Sequence, residues 1–191
     1  MKTLSVTLLA LAGSLALNAS PSLIGSTATI NYLFPDSSTV FATSIVPVTS
    51  GVEVTCPGGY AGSGVCKAFA EASTIDIGAT SITLHENAGT SYNTGAFNGV
   101  QFTDLNFGPG YQLTGFTLST DLAGLVPADV SFTGNSIEYN AEGLSFANAP
   151  YTITLNLNAT STTPEPATIG LFGLLSATLG LWKLRSHRRN S

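Results

Sequence analysis

Tyr151-Thr152-Ile153-Thr154-Leu155-Asn156-Leu157 alternates apolar and polar residues without a break. A period of two puts Tyr151, Ile153, Leu155 and Leu157 on one face of a strand and the polar residues on the other. The same rhythm recurs upstream. Residues 29–34 place Ile30, Tyr32 and Phe34 together, and residues 81–86 pair Ile82 with Leu84. Residues 100–107 hold Phe102 and Phe107, and residues 111–118 hold Leu113, Phe116 and Leu118. Turn formers separate these runs: Pro35-Asp36, Gly58-Gly59, Asn98-Gly99, Gly108-Pro109-Gly110, Gly134-Asn135 and Ala149-Pro150. Short alternating strands cut by turns at regular intervals predict an all-β fold, an antiparallel β-sandwich. No stretch of this body carries a helical period. No repeat of fixed length appears either, which excludes a solenoid or propeller.

Composition agrees with that reading. Hydrophobic residues make up 43 % of the 191-residue chain, yet charged residues only 9 %, against about 25 % in an ordinary soluble protein. Ser, Thr, Asn and Gly supply the missing polarity, as suits an extracellular β-protein. The length fits one domain plus targeting segments. Charge is unevenly spread: Lys67 is the one basic residue between the leader and the tail, whereas all of the eleven acidic residues except Glu165 lie there. An acidic body offers no surface for a phosphate backbone, so nucleic acid is excluded as a partner.

Both ends of the chain read as addresses. Residues 1–19 start with Lys2, run through Leu, Ala and Val, and finish in small residues near Asn18-Ala19-Ser20. A positive start, a short apolar core and a small-residue site are the parts of a secretory signal peptide, with cleavage expected after Ala19. The body then spans residues 20–157. Residues 158–163, rich in Ser and Thr, read as an extended, flexible linker. Asn158-Ala159-Thr160 matches a glycosylation sequon, which carries no meaning without a matching transferase.

Residues 164–191 are the most informative stretch. Thr163-Pro164-Glu165-Pro166-Ala167 precedes an uncharged apolar run to Trp182, and Lys183, Arg185, Arg188 and Arg189 follow. Two prolines one residue apart hold the backbone extended and stop a helix from running upstream. About sixteen apolar residues rise roughly 24 Å as a helix, a little short of the roughly 30 Å hydrocarbon core. Trp182 at the interface and outward-reaching Lys183 and Arg185 make up the deficit. Gly173 and Ala177 give a small-xxx-small spacing, which in such a helix is more often incidental than a packing motif. A single transmembrane helix is therefore expected, with the basic cluster cytoplasmic and the body outside the inner membrane.

A Pro-Glu-Pro motif, an adjoining apolar helix and a terminal basic cluster together resemble the PEP-CTERM sorting signal of Gram-negative bacteria. The resemblance implies that Pro164, Glu165 and Pro166 are the recognition motif and that Lys183, Arg185, Arg188 and Arg189 form the stop cluster. It implies an exosortase, a membrane-embedded transpeptidase-like enzyme, as processing partner. It also implies a cell-envelope or cell-surface destination, with the unprocessed form anchored in the inner membrane. Residues 116–121, 129–133 and 151–157 also look like the strand patterns of such proteins, and lend mild support.

Chemistry inside the body is sparse. Cys56 and Cys66 are the only cysteines. An even number in an exported chain reads as one disulfide stapling a long hairpin tip, and loop entropy gives roughly 2–3 kcal/mol for so short a ring. A metal site needs more ligands than two thiols, and none is spaced nearby. The glycines of residues 58–64 lack the Lys-Ser/Thr of a phosphate loop. His85 is the one histidine available for a catalytic triad, without a Gly-x-Ser-x-Gly elbow to serve. Glu53, Glu71, Asp76, Glu86, Asp104, Asp121, Asp129, Glu138 and Glu142 supply carboxylates for a glycosidase pair, though none sits in a motif. No Asp-x-Asp-x-Asp calcium loop is present. The expectation is thus a non-enzymatic structural or extracellular-matrix protein with no catalytic residues, no metal and no cofactor. Two alternatives stand beside it. One is a carbohydrate-binding module using Tyr60, Tyr92 and Tyr111 on extracellular polysaccharide; the other is a small carboxylate-dependent glycan hydrolase.

Overall fold

The computed structural model describes residues 20–87, 91–145 and 150–162. The leader 1–19, the Pro164-Glu165-Pro166 motif, the expected transmembrane helix and the basic cluster from Lys183 to Arg189 lie outside the described residues. Within these, no helix is long and apolar enough to cross a membrane. Ten strands run in chain order: β1 (Thr27–Leu33), β2 (Val40–Pro47), β3 (Val54–Pro57), β4 (Ala72–Ile77), β5 (Ser81–Glu86), β6 (Gly99–Thr103), β7 (Tyr111–Thr120), β8 (Val130–Phe132), β9 (Ile137–Asn140) and β10 (Tyr151–Ser161). Among the described residues, helical turns are confined to short 3-10 segments at Gly64–Ala68 and Pro127–Asp129.

The strands form two five-stranded antiparallel sheets, ordered β2-β1-β6-β9-β8 and β3-β4-β5-β10-β7. The alternating run that predicted the fold becomes β10, a central strand of the second sheet. Tyr151, Ile153, Leu155 and Leu157 all point inward and are buried. Ile82 and Leu84 lie beside Leu155 and Ile153 on β5. The other sheet supplies Ile30, Val100, Phe102, Ile137 and Tyr139 to the same apolar core. Burial of each large side chain contributes about 1.5–3 kcal/mol, which fixes the inward parity of β10, β5, β6 and β9.

Three sequence boundaries move. The expected linker begins too early, because β10 continues through residues 158–161. There it pairs with the start of β7, from Asn158↔Gly115 to Ser161↔Tyr111, and Thr162 N–H donates to Gly110 O at 2.7 Å. The long β7 strand provides a ladder for residues whose side chains are too polar to announce a strand. Residues 104–107 leave the strand expected over 100–107. Asp104 takes a left-handed conformation with φ 61°, and Leu105 N–H turns to Asn135 O at 3.0 Å. Finally, the register of β1 against β2 shifts between Tyr32 and Leu33. Leu33 is therefore the buried residue, and Phe34 is carried to the rim.

β2 has no counterpart in the alternation read from sequence. Its inward residues are Ala42 and Val46, while Val40, Phe41 and Ile45 are exposed. An edge strand with apolar residues on both faces hides its period.

Candidate functional site

At one end of the sandwich β1, β3, β5 and β9 finish and β2, β4, β6 and β10 begin. The connections there surround a cavity of about 160 Å³. Tyr32 and Phe34 come from the end of β1, Phe41 from the start of β2, Tyr60, Ala68, Ala70 and Glu71 from the β3–β4 connection, and Glu86 from the end of β5. Ser91, Tyr92, Asn93 and Asn98, ahead of β6, complete the wall.

Glu86 occupies this cavity because of strand parity. On β5 the inward positions are Ile82, Leu84 and then Glu86, so the apolar stripe ends in a carboxyl. Glu86 is only 6 % exposed. It stands in register with Ser73 on β4 and Tyr151 on β10. The Tyr151 hydroxyl donates to Glu86 Oε2, and the Tyr92 and Tyr151 hydroxyls lie 2.8 Å apart. Desolvation raises the Glu86 carboxyl to about 7; the Tyr151 hydrogen bond opposes the rise, the negative charge of Glu71 adds to it, and Ser73 opposes it. Burial likewise holds the Tyr32, Tyr92, Tyr139 and Tyr151 hydroxyls protonated, above the usual phenol range. Asn98 is locked in place: its Oδ1 accepts from the Tyr32 hydroxyl at 2.6 Å and its Nδ2 donates to Asn93 O at 2.9 Å.

The β3–β4 connection is shaped to bring Tyr60 to the cavity mouth. Cys56, on β3, is joined by a disulfide to Cys66 in the 3-10 turn, so the staple across the long hairpin tip is present. Gly58 has φ 82°, and a Cβ there would meet Ala72 N at 2.8 Å and Glu71 C at 2.9 Å. Only glycine allows that approach. Tyr60 itself adopts φ 57°, a conformation that costs a bulky L-residue about 1–2 kcal/mol. Its N–H is tied to Phe69 O at 2.9 Å, and its ring remains 63 % exposed. Phe41, also exposed, stands on the β2 side of the mouth and meets Tyr32 edge-on at 6.4 Å.

The remaining candidates disperse. Glu53 accepts from Thr49 N at 2.8 Å and Ile77 N at 2.6 Å, bracing the β2–β3 connection against β4. Glu138 accepts from Gln101 at 2.7 Å and Ser131 at 3.0 Å across the first sheet. Asp104 accepts from Thr29, Asp121 from Thr152 N, Asp129 from Val126 N and Glu142 from Gly95 N. Asp76 lies on β4, on the sheet face opposite the buried Ile75 and Ile77. Of the nine carboxylates named from sequence, only Glu71 and Glu86 share the cavity. His85 lies on the other face of β5 from Glu86, half-buried, with Nδ1 3.1 Å from Thr152 Oγ1 and Nε2 3.2 Å from Asn87 Oδ1. Among the described residues no group of three or more His, Cys, Asp or Glu side chains gathers as for a metal.

The three tyrosines named as exposed platforms part company. Tyr60 is exposed at the mouth, Tyr92 is buried against Tyr151, and Tyr111 lies at the opposite end of the sandwich. There it borders an open depression of about 700 Å³ with Asp104, Gln112 and Asn135. The buried role of Glu86 was the feature missed from sequence. Its signal was present: extending the parity of Ile82 and Leu84 by two residues points Glu86 inward.

No family model, curated protein or solved structure matches this chain.

Proposed function

We propose that this chain is an exported protein of a Gram-negative cell envelope, sorted to the surface through its Pro164-Glu165-Pro166 tail by an exosortase-type membrane enzyme. On this reading the unprocessed form is held in the inner membrane by the apolar run over 167–182. The β-sandwich then serves, without catalysis, as a structural or extracellular-matrix component. The observation that carries the proposal is the order of signals: a secretory leader, an uncharged apolar run behind two spaced prolines, and a basic end. The Cys56–Cys66 disulfide supports it, because such bonds persist in oxidising compartments outside the cytoplasm.

The test is the intact mass of the protein taken from the surface of its own cells. The expected mass lacks both the leader and the residues beyond the neighbourhood of Pro166. A mass that retains Trp182 and the arginines would mean a permanent anchor and overturn the processing step. Changing Pro164 and Pro166 together to Ala is expected to leave export intact and trap a membrane-bound, unprocessed form.

A second reading, a glycan-binding sandwich, is favoured by one observation. Exposed Tyr60 and Phe41 flank the mouth of a cavity whose wall carries polar side chains, the pairing of apolar face and fixed polar groups that a sugar ring requires.

A further inference from the structure

The cavity at the Glu86 end is enclosed by aromatic rings and carries two carboxyls, Glu71 and Glu86. No basic side chain lines it among the described residues. Lys67, the one Lys or Arg among them, is exposed and absent from the wall. Glu86 is thus a buried carboxyl with hydrogen-bond donors but no positive partner. Such groups are ordinarily paired or neutralised. An anionic ligand would meet like charge, and a neutral ligand would leave Glu86 to keep its proton. A ligand bearing an ammonium would supply the missing charge, and aromatic walls favour cations over water.

Size narrows the class. About 160 Å³ is close to the space that holds one benzene-sized ring, roughly 150 Å³. The rim supplies what a sugar ring needs beyond charge. Exposed Tyr60 and Phe41 line it with aromatic surface for the C–H face of a sugar, and Ser91 and Asn93 line it with exposed polar residues for the hydroxyls.

We propose that this cavity binds the terminal amino-sugar unit of a polysaccharide, a single ring with a free ammonium placed against Glu71 and Glu86 and its apolar face against Tyr60 and Phe41. The inference rests on the glycan-binding reading and deepens it. Ammonium binding also favours the ionised form of Glu86, drawing its carboxyl down from about 7. The titratable groups around Glu86 are Glu71, Tyr32, Tyr60, Tyr92, Tyr139 and Tyr151, and burial holds Tyr32, Tyr92, Tyr139 and Tyr151 protonated.

The experiment is saturation-transfer NMR on the full chain at pH 7 with three probes: glucosamine, N-acetylglucosamine and glucose. Glucosamine is expected to bind at least about tenfold more tightly than either neutral sugar, a difference of about 1.4 kcal/mol. Glu71→Gln is expected to erase most of that preference. Tyr60→Ala, an exposed position whose change leaves the core intact, is expected to weaken all three probes about fivefold or more. Equal binding of glucosamine and N-acetylglucosamine would overturn the amino-sugar assignment and leave the glycan-binding reading standing. Glucosamine binding untouched by Tyr60→Ala would place the site elsewhere and overturn the proposal. Absence of binding by every probe would overturn both.

Discussion

The two ends of the sandwich are built to different rules. At one end the chain makes long connections, pins one of them with the Cys56–Cys66 disulfide and sets a carboxyl into the core wall at Glu86. At the other end the β4–β5 and β8–β9 turns are tight, and an open depression is bordered by Tyr111 and Asn135. Here Leu23 N–H bonds Ala79 O at 2.8 Å and Thr162 N–H bonds Gly110 O at 2.7 Å, so the chain both enters and leaves at this end. A carboxyl ending an apolar stripe, a tyrosine at positive φ and a glycine pressed against backbone all sit at the first end. Each lowers stability when counted alone. The other end carries one comparable departure, Asp104 at φ 61°, and the three gathered at the first end single it out as the candidate site.

That contrast can be broken most severely at Gly99, where β6 begins. A Cβ there would meet Tyr139 O at 1.9 Å, so the backbone must move. Gly99→Val is expected to cost about 4 kcal/mol or more, read as a loss of thermal midpoint, or to prevent folding. Reduction of the disulfide, or Cys56→Ser with Cys66→Ser, is expected to cost about 3 kcal/mol by loop entropy. Hydrogen exchange should then rise in the β3–β4 connection and stay low at the Tyr111 end; a uniform rise would mean the ends are not separable.

The Glu86 carboxyl makes the contrast depend on pH. Its value is raised in the folded chain from 4.5 to about 7. Between those values the folded state holds a proton that the unfolded state has released, so stability falls as pH rises through this window. The contribution is whole below about pH 4.5 and gone above about pH 7, a swing of at most about 3 kcal/mol. Glu86→Gln, which keeps an acceptor for Tyr151, is expected to flatten the denaturant midpoint over that range. A variant with the wild-type slope would assign the pH dependence to another group. The smallest effect is expected at Tyr60. Tyr60→Gly relieves the positive φ and should stabilise the fold by about 1 kcal/mol or less, while weakening glucosamine binding. Loss of stability instead would show that the ring packs inward.

The alternation of β10, β5 and β7 was plain in sequence because each keeps its apolar residues to one face, with polar residues between them. β2 was not, because Phe41 and Ile45 are apolar on the outer face. Residues 158–161 were concealed for the opposite reason: the partner strand β7, not their own side chains, makes them a strand. The disulfide was readable from two cysteines in a chain whose first residues read as a secretory leader. The cavity was not, since it joins Tyr32, Tyr60, Glu86 and Asn98 from four separate stretches. Only the parity of Glu86 announced it. The dispersal of the other carboxylates depends on long-range pairings, such as Glu53 with Ile77 and Glu138 with Gln101, that no local pattern encodes.

β10 begins at the cavity, where Tyr151 meets Glu86, and ends where the chain leaves the sandwich beside Gly110. At about 3.3 Å per residue its eleven residues cover roughly 35 Å. On the readings proposed above, a pull between a ligand in the cavity and a C-terminal anchor would run along this strand. Its ladders to β5 and β7 are antiparallel, with hydrogen bonds perpendicular to that direction. The load is therefore shared by the bonds at once rather than opening them one after another, and the strand that sets the core also makes the domain a link that resists shear.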